Sequence, residues 1–209
     1  MNTKRIKMMI ALSCLGSSLA MAKGSEGTAS VHTAYYKQLG PNGYLLSLLP
    51  GAKLIESLKA FQRGTKVATA SLTGLGALKK IHIAQYRLVG EPLAGGGIAT
   101  KPVLDDTFIE GHREIVSLVC NLTTNVVKGG AVSSSDPHCH VALAGSDDAS
   151  VSAEGGYPVV GGHLVEAEVA VVAELFVTTY ATPVDKKYVA SHGGTMIDLD
   201  ENNGGIPLN

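Results

Sequence analysis

The sequence has no tryptophan, three phenylalanines and an aromatic content of 5%. So few rings lie near basic residues that a surface for stacking nucleic-acid bases has little to be built from. Its three cysteines form no CxxC pair, which removes the familiar thiolate metal and redox motifs. No GxSxG elbow, P-loop or HExxH helix is present, so serine-hydrolase, nucleotide-hydrolysing and zincin chemistry have no motif to rest on. Beyond the N-terminal segment, no apolar run is long and unbroken enough to cross a bilayer. The best candidate, GGHLVEAEVAVVAELFVTTY, is interrupted by Glu166, Glu168 and Glu174, which would be costly in lipid.

Positive charge is scarce as well: 17 basic residues stand against 18 acidic ones. Three of the basic ones, Lys4, Arg5 and Lys7, belong to a short basic start followed by MMIALSCLGSSLA and Ala20-Met21-Ala22. That layout predicts a signal peptide over residues 1–22, cleaved after Ala22 to leave 209 − 22 = 187 residues, in the periplasm or secreted. A lipoprotein anchored at Cys14 is the competing reading, but Leu12 sits one place from where such a signal has its leucine. Without the leader, 14 basic residues face 18 acidic ones, a formal charge of −4. The global positive field that draws proteins to phosphates is absent, and the doublets Lys79-Lys80 and Lys186-Lys187 are too small to restore it. Cys120 and Cys139 survive processing, either as one disulfide or as two buried thiols.

What is present is enough for one domain with a sizeable core. Residues 23–41 are a polar, extended lead-in. YLLSLLPG (44–51) reads as a strand, and AKLIESLKAFQRG as an amphipathic helix with Leu54, Leu58 and Phe61 on one stripe and Gly64 as its left-handed cap. VATASLTG (67–74) and KKIHIAQYRL (79–88) read as two strands joined by a tight turn. In that turn Lys79 takes the place of the third glycine of a dinucleotide fingerprint, and no helix follows, so nucleotide binding is rejected. EPLAGGGIATKPVLDD reads as a loop, TFIEGHREIVSLVCNLT as one or two strands, and VVKGGAVSSSDP as a loop with a hairpin turn at Gly129-Gly130. HCHVALAG is a strand, SDDASVSAEGGYPVVGG a long loop, and HLVEAEVAVVAELFVTTYA one long or two consecutive strands. The tail, 182–209, is polar and loosely held. Many strands with a single clear helix imply an α+β domain on an antiparallel sheet.

Three of the seven histidines lie at the mouths of two such strands. Residues i and i+2 of a strand share a face, so His138 and His140 stand side by side while Cys139 points away. Two imidazoles placed so can share a divalent metal ion, and His163, behind Gly161-Gly162, is the natural third ligand. Such a set resembles catalytic zinc sites that keep one position open. The competing reading is hydrogen-bonded histidines near a subunit contact, without metal. In EGHRE, an unbroken strand would align Glu110, His112 and Glu114 on one face. Alternating polar residues usually mark a solvated face, the reading favoured for Glu110 and His112, while Glu114 is retained as a hydrogen-bonding support for a metal-bound imidazole. His82 on its apolar strand reads as structural.

LLSLLPGAKLIESLKAFQRG, SLTGLGAL, EIVSLVCNLT, PHCHVALAG and GGHLVEAEV succeed one another in an order and spacing that resembles the plant and prokaryote conserved (PPC) domain, over residues 42–181. The resemblance implies an α+β fold, a largely antiparallel sheet with one main amphipathic helix and short helices, assembled as a homotrimer. In plants such domains accompany AT-hook peptides. No Arg-Gly-Arg hook exists here, and the DNA-binding label of prokaryotic members is a fold-level association. The fold is also similar to that of acetolactate decarboxylase, whose metal is held by an H-x-H pair and a further histidine. His138, His140 and His163 match that set in type and order, though the gap before the third differs. The enzyme's other catalytic residues have no match here, so the resemblance implies the metal site, with zinc or another divalent transition metal, and not the decarboxylation. Together these features predict an exported trimer with a three-histidine metal or small-ligand site, whose ligand set suits lyase or hydrolase chemistry. The alternatives are a DNA-binding protein and a purely structural interaction module.

Overall fold

The computed structural model describes residues 33–92, 94–126, 132–133, 137–145, 158–189 and 194–197. The leader and its cleavage site lie outside the described residues. The last part of the lead-in is strand β1, Ala34–Gly40, which forms an antiparallel hairpin with β2, Gly43–Leu48. Helix α1, Leu54–Thr65, buries Leu54, Ile55, Leu58 and Phe61, the stripe its spacing predicts. Its left-handed cap is Lys66, at φ 58°, and not Gly64, which lies in the last helical turn. The helix simply runs further than the glycine suggests.

The largest departure from the sequence-based expectation is β3, which runs unbroken from Thr69 to Pro92. The expected tight turn at GLGALKK is a bend inside this strand, where the register shifts between Gly74 and Ala77. Gly76 makes the bend at φ 136°, packed so closely on the Val172 carbonyl that a side chain has no room. The expected loop 91–106 is mostly strand too. After a turn containing Gly96 and Gly97, both at positive φ, β4 (Ile98–Ile109) returns antiparallel to β3.

Next come β5 (Arg113–Leu122), β6 (Thr124–Val126), β7 (Val132–Ser133), β8 (His138–Ala144) and β9 (Val160–Tyr180). β6 and β7 pair antiparallel across the expected Gly129-Gly130 turn, whose own residues lie outside the described ones. The tail contributes β10 (Asp185–Val189) and β11 (Gly194–Ile197), so this part of it is pinned. They form a four-stranded sheet in the order β11-β10-β6-β7, with β10 parallel to β6.

The main sheet has the order β1-β2-β9-β8-β5-β3-β4 and is antiparallel throughout, with β3 also pairing β9. Those pairings close a circuit β3-β5-β8-β9-β3 that needs two long strands bent in the middle. Along β8, Cys139, Val141 and Leu143 face the core and His140 faces out. Cys120 and Cys139 are register partners on β5 and β8 and form a disulfide, which decides between the two cysteine readings. Lys79 and Lys80 both contact Glu168, at 3.0 and 3.1 Å. Their hydrogen bonds hold that carboxyl below the usual glutamate range. Among the described residues, α1 is the only helix, and none is long and apolar enough to cross a membrane.

Candidate metal centre

Strand alternation does at β8 what the HxH spacing predicts. His138 and His140 share the outer face, with Nε2 atoms 3.1 Å apart and ring planes 16° from parallel. β9 runs antiparallel beside them, and its register sets His163 directly opposite His140. Its ring stands nearly perpendicular to the other two, at 76° and 79°. One ligand nitrogen from each of the three lies within 4.8 Å of the others.

The glycine pair before His163 works by close approach. Gly161 lies so near the Val141 carbonyl of β8 that a Cβ would strike it, and a Cβ on Gly162 would stand 2.9 Å from the Ala84 oxygen of β3. β9 already begins at Val160, so these glycines are strand residues and not the sharp turn that their spacing suggests. They let β9 pack tightly between β8 and β3, which carries the His163 ring to the others.

This donor set fits a transition metal. Two imidazole nitrogens at about 2.0–2.1 Å from a tetrahedral ion stand roughly 3.3 Å apart. The His138–His140 pair, at 3.1 Å, already has that spacing, and His163 needs only a small side-chain adjustment. Three imidazole nitrogens from paired strands would leave one coordination position of a tetrahedral ion for water or a ligand.

Glu114 is placed elsewhere. It lies opposite Ala144, four residues along β8 from His140, or roughly 13 Å at strand rise. Its carboxylate is 3.3 Å from His112. The stretch before it is no unbroken strand, because Glu110–His112 interrupt it with a bend at Gly111, φ 84°. The cross-strand neighbours of the three histidines are instead Asn121, Val119 and Ala84. Asn121, facing His138, is not found by sequence reasoning; its position depends on the β5–β8 register, which no spacing signals. His82 hydrogen-bonds Asp106 at 2.6 Å and stacks on Phe108, so it has its partners outside the centre.

The sequence model of the Plants and Prokaryotes Conserved (PCC) domain matches residues 35–181. The chain belongs to this family. Solved structures with the same fold include a PCC-type protein of Pyrococcus horikoshii, 26% identical, at a TM-score of 0.51 over 75% of this chain and 90% of that one. A protein of Bacteroides thetaiotaomicron, named "putative DNA binding protein", is 22% identical at a TM-score of 0.58, covering 80% and 98%. A metal-containing protein of Archaeoglobus fulgidus is 21% identical at a TM-score of 0.53, covering 78% and 97%. No protein of curated function matches the sequence. The PCC match begins at residue 35, one residue into β1, and ends at 181, one residue past the end of β9. The histidine centre lies wholly inside it.

Proposed function

We propose that this PCC-domain protein is exported, assembles as a homotrimer, and binds a divalent transition metal ion, zinc or one like it, on His138, His140 and His163. The observation that carries the reading is the convergence of three imidazoles from two adjacent strands, with ligand nitrogens within 4.8 Å of one another. The metal-containing relative from Archaeoglobus fulgidus lends it support. When bound, such an ion polarises a carbonyl or activates a water molecule. The chain's own part is to hold three nitrogens on one rigid face with the fourth direction open to the outside of the sheet. Export agrees with the Cys120–Cys139 disulfide, a bond that persists in oxidising compartments.

Elemental analysis of protein purified without an affinity tag tests the metal. One transition-metal ion per chain is expected, and the double variant His138→Ala, His140→Ala should lose it. Equal metal content in the two proteins would remove these residues from the site. The name of the Bacteroides relative raises DNA binding as a second reading. The chain's formal charge of −1 gives no general attraction to phosphates, and mobility shifts across a salt series separate the two, with none expected.

A further inference from the structure

Between the two histidines of β8 stands a residue that is covalently anchored. Cys139 is bonded to its register partner Cys120 on β5, and both are buried. The buried row they belong to reads Leu72, Cys120, Cys139, Leu164 across β3, β5, β8 and β9. On one side of it lies the outer row of Val119, His140 and His163, and on the other the pair Asn121 and His138. The disulfide therefore sits beneath the outer face, between the two levels at which the three histidines stand. Alternate residues of a strand point to opposite faces, so its sulfurs face the core and act on the centre only through the backbone of β8.

That backbone is anchored where the strand starts. β8 begins at His138, and its register with β9 starts one residue later, with Cys139 opposite Leu164. The chain leaves β5 at Leu122, contributes β6 and β7 to the small sheet, and re-enters the main sheet at His138. Strand ends are where native proteins open at least cost, and two of the three histidines lie within the first three residues of this strand. The bond, with a sequence separation of 19, ties the point of exit to the point of re-entry. It fixes the residue between two rings whose Nε2 atoms stand 3.1 Å apart.

We infer that the Cys120–Cys139 disulfide is a positioning element of the histidine centre: it pins the start of β8 and so holds His138 within ligating distance of His140 and His163. The chain with this bond binds the metal ion tightly, and the chain without it binds loosely. Only the link to a metal rests on the proposed function; the pinning of His138 stands on the register and the bond.

The test compares the full chain with its double variant Cys120→Ala, Cys139→Ala. The pair Cys120→Val, Cys139→Ala, which refills part of the lost volume, serves where the alanine pair does not fold. Cobalt(II), titrated in competition with a chelating dye, should bind the variant about tenfold more weakly, the scale of losing a group that orients a metal ligand. In a His138→Ala background the positioned ring is gone, and removing the disulfide should change cobalt affinity by no more than about twofold. A bond that only stabilised the fold would not distinguish the two backgrounds. Equal weakening in both, or unchanged affinity in the first, would overturn the inference. Amide hydrogen exchange of the metal-free chains gives a second readout. Loss of the bond should speed exchange at His138–His140 more than at Leu143, farther along the same strand, and a uniform change or none refutes the pinning. If cobalt binds neither chain, the metal centre falls, while exchange still decides whether the disulfide holds His138.

Discussion

Glu166 lies three residues after His163 on β9, and its Oε1 accepts hydrogen bonds from the backbone amides of Ile55 and Ala167, both at 2.9 Å. The first of these closes the N-terminus of α1, where Lys53 supplies no side-chain cap. A carboxylate there satisfies an orphan amide and meets the positive end of the helix dipole. One residue thus ties the strand of the third ligand to the helix that covers the core. In the sequence Glu166 is only a polar interruption of an apolar run, since its partner is 111 residues away. Glu166→Ala is expected to lower the unfolding free energy by about 1–3 kcal/mol, read as a lower urea midpoint. An unchanged midpoint would mean the cap contributes nothing.

At the scale of elements, the histidine pair is legible in the sequence and the bent strands are not. HCHVALAG is short and bounded by turn residues, so period two alone puts His138 and His140 on one face and Cys139 on the other. GLGALKK looks like a turn because Gly74 and Gly76 punctuate it, yet the same glycines allow one strand to bend against β9. Glu114 lies away from the centre for a related cause: its alternation with His112 and Glu110 is broken by a bend that Gly111 makes at positive φ. Gly161 is where the element controls the site. Gly161→Ala would push β8 and β9 apart two residues before His163, and is expected to cost about 1–3 kcal/mol and to weaken metal binding. Gly40→Ala, with nothing within 4 Å of its Cβ, is the control and should change neither. Intact metal affinity in Gly161→Ala would show that the tight β8–β9 approach does not hold the third ligand.

For the whole molecule, closing β3, β5, β8 and β9 into a circuit turns the outer sheet face into the surface that bears the centre. One cross-sheet row on it runs Phe176, Thr73, Val119, His140, His163. Phe176 and Val119 are 50% and 51% exposed, an apolar surface of the kind that subunit contacts cover. Native mass spectrometry of the protein from its own export pathway reads all the molecular proposals together. It should give three copies of a chain lacking residues 1–22, each about 2 Da lighter for one disulfide. A monomer at micromolar concentration, or a retained Met1, would remove the corresponding proposal. The metal centre itself has a more direct measurement, anomalous diffraction at the metal absorption edge from crystals of untagged protein. It should show one peak per chain about 2 Å from a nitrogen of each of His138, His140 and His163; the three rings in clear density with no anomalous peak between them would contradict it.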